Sequence, residues 1–288
     1  PCTRFESSRA NAGLMFTLIG REPPMRLYRC LLSLLLGVVL ASPVAAAGLD
    51  HRLWHELLGR HVRVLEGGHA SQVDYAGMAA EREQLRAYLD KVAAVRPAAF
   101  ARWSEDEQLA MLINAYNAAT VELVLGGYPD LESIRDLGSL LRSPWKQPAL
   151  QLLGKTRSLD ELEHELIRGE QGYQQPRTHF ALNCASIGCP ALRAEAYNGA
   201  QLQAQLTDAE RRFLSDPSRN RLRGDSLQVS SIFDWYQDDF EQNGQTLARY
   251  FASQAGALGL TDAQRQQLLD GEIDIEFLDY DWRLNRTP

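Results

Sequence analysis

The stretch HFALNCASIGCP, residues 179–190, brings one histidine and two cysteines together at a spacing that could support thiol chemistry. His179 comes first, and four residues separate Cys184 from Cys189. A cysteine becomes a nucleophile when a base or a positive field lowers its pKa, so a nearby histidine predicts a reactive thiol. The two cysteines could instead form a disulfide, contribute to a zinc site or remain inert buried thiols, although C-x4-C is looser than the C-x2-C usual for zinc. The residue types leave these four alternatives open.

The local backbone decides which histidine can serve Cys184. If residues 179–183 form a strand, side chains alternate, and His179 points away from Cys184. His179 could then act only if the backbone turns, or on Cys189 as the loop returns. We therefore expect His164, on a separate helix, to be the base for Cys184, with His179 as the alternative.

The helix that carries His164 is predicted over residues 159–168. Ser158 followed by Glu161 forms a capping box, a signal for a helix start. In a regular α-helix Glu161, His164 and Arg168 lie on one face. Glu161 is thus a candidate to orient His164, and Arg168 is a candidate substrate contact.

A longer and nearly apolar helix is predicted after the N-cap Ser104, and it carries Asn114, Tyr116 and Asn117. Asn114 and Asn117 stand three residues apart and point the same way, where an unpaired amide would cost ~1–3 kcal/mol. Asn117 is a candidate orienter or oxyanion donor, as in cysteine–histidine–asparagine sites. The commoner role for such a pair is to tie a loop backbone to the core. Asn114 and Tyr116 are candidate substrate contacts.

The loop between the cysteines contains turn-forming residues. Gly188 lets backbone N–H groups approach a ligand closely, so the amides near it are candidate oxyanion donors. Ser186 and Gly188 are therefore candidate substrate-binding residues. Ser186 is not predicted to be a nucleophile, because no G-x-S-x-G motif surrounds it.

The N-terminal part of the chain resembles a targeting segment. Residues 25–47 read as a secretory signal peptide, with two arginines before an apolar run and small residues that predict cleavage near Ala47. We expect residues 1–24 to be a non-native, disordered upstream extension and residues 48–288 to be a single domain. The mature protein is predicted to be periplasmic or secreted, with no integral membrane span after cleavage.

The charge of the predicted mature chain limits the classes of partner that it is expected to bind. Removing the leader leaves 25 basic and 35 acidic residues and no basic run. This composition argues against nucleic acid or an anionic membrane as partner. We expect the partner to be a small molecule or a peptide of unknown identity. No cofactor is predicted, and zinc is the metal that the cysteines would suit.

Helical periodicity dominates the predicted mature chain. The candidate strands are few and short: HFALN, SLQVSSIF and DIEFLDYDW. The sequence therefore predicts an α+β fold, a helix-rich single domain with a small antiparallel sheet.

Six stretches together resemble the family known as domain of unknown function 547. They are VDYAGM, LINAYNAATVELVL, SLDELEHELIR, PRTHFALNCASIGCPAL, SIFDWYQDDF and FLDYDWRLN, in the family's order. The resemblance spans residues 73–285 and implies a single domain, but no reaction, because no activity is established for the family. It marks as family-pattern positions Asn114, Tyr116, Asn117, His164, Arg168, His179, Cys184, Cys189, Pro190, Tyr280, Asp281, Trp282 and Asn285.

These features predict an exported cysteine-dependent hydrolase or acyl or amide transferase, with Cys184 as nucleophile. The alternatives are a non-catalytic binding or interaction module with a Cys184–Cys189 structural disulfide, and a metal or redox thiol site. The sequence does not decide whether the protein is an enzyme.

Overall fold

The computed structural model describes residues 48–65, 67–139, 142–169 and 172–288. The predicted signal peptide and the predicted upstream extension lie outside these described residues. Within the described part of the chain, no helix is both long and apolar enough to cross a membrane.

Helices of very different lengths make up about half of the described chain. The α-helices are α1 (Arg52–His61), α2 (Tyr75–Ala80), α3 (Arg82–Ala93), α4 (Pro97–Phe100), α5 (Glu105–Leu125), α6 (Leu159–Glu161), α7 (Leu202–Leu214), α8 (Ile232–Trp235), α9 (Gln237–Phe240), α10 (Leu247–Ser253) and α11 (Asp262–Asp270). The strands are β1 (Val62–Val64), β2 (Ser71–Val73), β3 (Pro148–Leu152), β4 (Lys155–Ser158), β5 (Arg221–Arg223), β6 (Ser226–Ser230) and β7 (Asp274–Leu278).

Helix α5 is the centre of the larger hydrophobic core. It begins with a capping box in which the Ser104 hydroxyl accepts from the Glu107 N–H and the Glu107 carboxylate accepts from the Ser104 N–H. Residues 109–121 of α5 are all buried, as the apolar sequence predicted. The polar side chains on this helix therefore lie inside the protein.

A second hydrophobic cluster is rich in phenylalanine and lies against the three-stranded sheet. Its phenylalanine members are Phe180, Phe213, Phe233, Phe240 and Phe251. Many of these rings contact one another at centroid distances between 4.8 and 6.3 Å, the range in which aromatic pairs attract.

The strands form three small sheets. β1 pairs with β2 and β3 pairs with β4, both as antiparallel hairpins. β6 pairs with β5 antiparallel and with β7 parallel. The helix-rich α+β class is confirmed, and so are the second and third predicted strands. The expectation of one antiparallel sheet is wrong in detail, because β7 returns from α11 in the same direction as β6.

The predicted strand HFALN is wrong. Residues Pro176–Phe180 form a 3-10 helix that begins with a proline, and the N–H groups of Ala181 and Leu182 both donate to the carbonyl of Thr178. Phe180 is buried in the aromatic cluster. These local hydrogen bonds replace those of a strand, and the alternation that separated the histidine from the thiol does not apply.

Candidate functional site

The two cysteines line a cavity of about 240 Å³. Its titratable lining residues are Asp160, Glu163, His164, His179, Cys184 and Cys189, and its aromatic lining residues are Tyr116, Trp145, Trp235, Tyr236, Tyr280 and Trp282. Leu182 from the larger core and Ile232 from the phenylalanine cluster complete its apolar surface. The cavity therefore lies where the two hydrophobic clusters meet.

The sulfur of Cys189 accepts three hydrogen bonds. The backbone N–H groups of Cys184 and Ser186 lie 3.0 and 3.4 Å from it, and the Tyr280 hydroxyl lies 3.2 Å from it. Burial alone would raise the pKa of the Cys189 thiol, but these donors and the Cys184 thiol outweigh burial and lower the pKa to about 7. Cys189 is thus the sulfur that the fold stabilises as a thiolate.

Cys184 is the more accessible of the two thiols. Its hydrogen bond to Cys189, followed by burial, raises the pKa of Cys184 well above its usual value. The Tyr280 hydroxyl also lies 3.2 Å from this sulfur. The two free thiols therefore titrate as a pair that shares one proton near neutral pH. A disulfide between them stays a prediction.

Gly188 positions an aromatic ring and not a ligand. The N–H of Gly188 donates to the Asp281 carbonyl and that of Ile187 to the Arg283 carbonyl, so both amides are occupied. A Cβ atom on Gly188 would lie 2.9 Å from carbon atoms of the Tyr280 ring. The expectation that amides near Gly188 form an oxyanion site is wrong. The glycine instead lets Tyr280 pack close enough to contact both sulfurs.

His179 is held by a carboxylate from a distant part of the chain. Its Nε2 atom lies 2.6 Å from Oδ2 of Asp239, and its ring stacks on Tyr236 with centroids 3.9 Å apart. Burial lowers the pKa of His179, whose side chain is only 2% exposed. Hydrogen bonds from His179 and Arg168 outweigh the burial of Asp239 and lower its pKa to about 2. The neutral ring therefore donates its Nε2 proton to Asp239 and keeps a lone pair on Nδ1.

In His164, by contrast, Nδ1 is the ring nitrogen that makes the hydrogen bond. The guanidinium of Arg168 lies 2.5 Å from Nδ1 of His164, and because arginine only donates, Nδ1 must be the acceptor. The proton of the neutral ring then sits on Nε2, which lies 3.8 Å from Asp160. His164 lines the cavity as predicted, but its lone pair is already occupied. This geometry does not support His164 as the base for Cys184.

A π-helix over Leu162–Ile167 replaces the second half of the predicted α-helix. Its hydrogen bonds skip five residues, as in the 2.9 Å bond from the Arg168 N–H to the Glu163 carbonyl. Glu161 caps Ser158 and does not contact His164, so its predicted orienting role is not supported. Both Glu163 and His164 line the cavity instead.

Asn114 and Asn117 tie loop backbone to the core, which was the commoner of the two predicted roles. The Asn114 amide bonds both the N–H and the carbonyl of Tyr197. The Asn117 amide donates to the Ala181 carbonyl and accepts from the Asn183 N–H. The oxygen and the nitrogen of each amide bind loop backbone, and neither residue lines the cavity, so the orienting role assigned to Asn117 and the contact assigned to Asn114 are not supported.

The remaining predicted substrate contacts have different positions. Tyr116 lines the cavity, and its hydroxyl has no hydrogen-bond partner among the described residues. Arg168 lies behind the cavity, where its Nε atom pairs with Asp239 at 2.6 Å. Ser186 is buried, and its N–H supports the sulfur of Cys189.

Sequence reasoning missed Glu163, Asp239 and the aromatic walls. These residues reach the site through contacts that are long-range in sequence, as His179 and Asp239 are 60 positions apart. The stretch DWYQDDF, with its aromatic and acidic residues, was the available signal for Asp239.

Comparison with known proteins gives one match. Residues 100–214 match the family model described as "Protein of unknown function, DUF547". This segment contains the thiol loop and both cavity histidines. No curated protein and no solved structure matches the chain. Among the described residues, no group of three or more His, Cys, Asp or Glu side chains is arranged to hold a metal ion.

Proposed function

We propose that this chain, whose residues 100–214 match the DUF547 family model, is a cysteine-dependent enzyme that hydrolyses or transfers an acyl or amide group. Cys184 is the nucleophile, His179 is the base, and Asp239 orients the base. One observation carries the proposal: a histidine held at 2.6 Å by a carboxylate lines the same cavity as a thiol.

The choice of His179 as base follows from the positions of its protons. A base needs an unprotonated nitrogen facing the reactants and a group that fixes its tautomer. Asp239 fixes the proton of His179 on Nε2 and leaves Nδ1 without a hydrogen-bond partner among the described residues. His164 lacks that freedom because Arg168 occupies its Nδ1 atom.

The choice of Cys184 as nucleophile follows from its exposure to the cavity and from the neighbouring thiol of Cys189. Cys184 is partly exposed in the cavity, whereas Cys189 is buried and surrounded by three donors. The pair holds one proton, so transfer of the Cys184 proton to Cys189 or to His179 leaves a nucleophilic thiolate at the accessible position.

Tyr116 suits the role of oxyanion donor. The residue is 2% exposed and lines the cavity, and burial raises the pKa of its hydroxyl well above the usual value. The hydroxyl therefore stays protonated and can donate. A positioned donor of this kind stabilises the charge on a carbonyl oxygen as a tetrahedral intermediate forms.

The reaction balances with these groups. The Cys184 sulfur attacks the carbonyl carbon while its proton passes to Nδ1 of His179. The intermediate collapses to a thioester, and the leaving amine or alcohol takes the proton from His179. Water or an amine then attacks the thioester with His179 again as base, which releases the acyl product and restores the thiol.

An activated ester tests the proposal on residues 48–288. With p-nitrophenyl acetate we expect release of nitrophenolate and, by mass spectrometry, an acetyl group on Cys184. His179→Asn should lower the rate about 10²-fold or more, and His164→Asn should have a small effect.

Tyr116→Phe should lower the rate of ester hydrolysis about tenfold or more. Tyr197→Phe is the matched control, because Tyr197 also has a buried hydroxyl without a hydrogen-bond partner but does not line the cavity. An acetyl group elsewhere, or a base effect at His164 and not at His179, would overturn the assignment.

The contact between the two sulfurs favours a second candidate, a dithiol oxidoreductase. Oxidation of both thiols to a disulfide releases two protons and passes two electrons to a disulfide on the substrate, which is reduced to two thiols. The candidates differ in what they require. Acyl transfer needs Cys184 and survives Cys189→Ser at reduced rate, whereas disulfide exchange to completion needs both cysteines. Loss of nitrophenolate release in Cys189→Ser, with intact reduction of oxidised glutathione by the wild type, would select the redox function.

A further inference from the structure

We propose that the cavity binds an aliphatic ammonium group, so that the substrate at the thiol is a molecule carrying a primary amine of the size of a lysine side chain. This inference rests on the proposed function for its chemistry, and the binding site can be tested without the reaction. Three features of the cavity carry it: a buried carboxylate, aromatic walls and the absence of lysine and arginine from its described lining.

Glu163 is the buried carboxylate. The residue is 8% exposed and lines the cavity. One of its oxygens, Oε1, accepts a 2.7 Å hydrogen bond from the Tyr236 hydroxyl. The other oxygen has no hydrogen-bond donor among the described residues. A buried carboxylate is stabilised by a positively charged hydrogen-bond donor, and the free oxygen is available to one.

The aromatic walls of the cavity also favour a cationic ligand. The rings of Trp235 and Trp282 are stacked with centroids 5.6 Å apart, and the Tyr280 ring lies 4.5 Å from that of Trp282. Trp145 meets Trp282 edge-on at 5.7 Å. Trp235 is 45% exposed, which is high for so large an apolar side chain. An ammonium group gains cation–π attraction from such ring faces while its carbon chain covers them.

The charges around the cavity favour a positively charged ligand. Asp160 and Glu163 are its acidic lining residues, and no lysine or arginine occurs among the lining residues that the structure describes. Two guanidinium groups contact residues of the cavity region without lining it: Arg168 pairs with Asp239, and Arg135 lies over the ring of Trp282. A carboxylate or phosphate ligand would therefore meet the like charges of Asp160 and Glu163 and no cationic lining residue.

The volume of the cavity limits the size of the ligand group that it can hold. At about 240 Å³ the cavity is smaller than the roughly 300–1,000 Å³ of sites for drug-sized ligands. An unbranched chain with a terminal amine fits such a space, and the rest of the substrate would lie outside it. The amine then serves either as the recognition group of the acyl donor or, in its neutral form, as the acceptor that attacks the thioester.

Binding is measured on Cys184→Ser protein, so that no reaction interferes, by quenching of tryptophan fluorescence. The probes are n-butylammonium, its neutral analogue n-butanol and its anionic analogue butyrate. We expect saturable binding of n-butylammonium that is at least tenfold tighter than that of n-butanol, and no binding of butyrate. Glu163→Gln should weaken n-butylammonium binding about tenfold or more, and Trp235→Ala should weaken it several-fold.

Glu165→Gln is the matched control. Glu165 lies on the same π-helix, but its side chain is 61% exposed and pairs with Arg157, so its replacement should leave binding unchanged. Equal binding of n-butanol and n-butylammonium, or equal effects of Glu163→Gln and Glu165→Gln, would overturn the inference. Hydrolysis of p-nitrophenyl acetate without amine binding would sink this inference alone. Amine binding without acetylation of Cys184 would instead reject the proposed reaction and keep the binding site.

Discussion

The Nε2 atom of His179 lies 2.6 Å from a carboxylate oxygen of Asp239, although the two residues are 60 positions apart in the chain. This hydrogen bond turns the lone pair of the histidine away from the acid and fixes the tautomer. It also joins the 3-10 helix at Pro176–Phe180, which carries the cavity-lining His179, to helix α9.

The pairing of Asp239 predicts a loss of stability in acid. Its pKa in the folded protein is about 2, below the value of about 4 expected for an unfolded aspartate. Since the folded pKa is the lower one, the stabilisation is fully present above about pH 4 and is lost as the pH falls towards 2. Urea unfolding at pH 6 and pH 3 should show a smaller pH dependence for Asp239→Asn than for the wild type.

Asp208 provides the control for this measurement. Its pKa is also lowered to about 2, because its arginine partners outweigh burial, but it does not line the cavity. Asp208→Asn should reduce the acid sensitivity of unfolding without changing ester hydrolysis, whereas Asp239→Asn should reduce both. Identical pH dependence in the wild type and in Asp239→Asn would contradict the ion-pair assignment.

Tyr280 should help to set the pKa of the thiol pair. Its hydroxyl donates to the sulfur of Cys189 from 3.2 Å, so Tyr280→Phe removes one of three donors and should raise the Cys189 pKa from about 7. The ultraviolet absorbance of the thiolate, followed against pH, reports this shift. Tyr236→Phe serves for comparison, because its hydroxyl contacts Glu163 and not a sulfur. A midpoint that does not move in Tyr280→Phe would show that the backbone amides suffice.

Replacement of Gly188 should disturb the same pair indirectly. A Cβ atom there would lie 2.9 Å from the Tyr280 ring, so Gly188→Ala must displace the ring. We expect a loss of about 1–3 kcal/mol in the free energy of unfolding and a higher thiolate midpoint. Gly256→Ala is the control, since a Cβ atom at Gly256 meets nothing within 4 Å. Chemical denaturation and thiolate titration of both variants check the prediction, and equal stability of the two would refute it.

Asn117 should matter for folding. Asn117→Ala would leave the Ala181 carbonyl and the Asn183 N–H without their partner, and each unpaired buried group costs about 1–3 kcal/mol. Denaturation by urea should show this loss, whereas Gln266→Ala, at an exposed position, should change stability by less than about 0.5 kcal/mol. Full stability of Asn117→Ala would mean that the loop is held by other contacts.

The sequence by itself determined the features that depend on local pattern. The capping boxes at Ser104 and Ser158 predicted where two helices begin, and the apolar run after Ser104 predicted a buried helix, because caps and periodicity involve residues within one or two turns. The thiol loop and the helix-rich α+β class were predicted on the same kind of evidence. The family resemblance added that the motifs follow the family's order along the chain, but it did not predict a reaction.

Only the tertiary structure decided which groups meet. Alternation suggested a strand at HFALN, but Phe180 gains more by packing into the aromatic cluster, and its backbone is satisfied in a 3-10 helix. The π-helix at Leu162–Ile167 directs Glu163 to the cavity, which helical spacing from the capping box did not predict. Contacts such as Asp239 with His179 join segments far apart in sequence. No local periodicity encodes such contacts, because they depend on how the two hydrophobic clusters pack together.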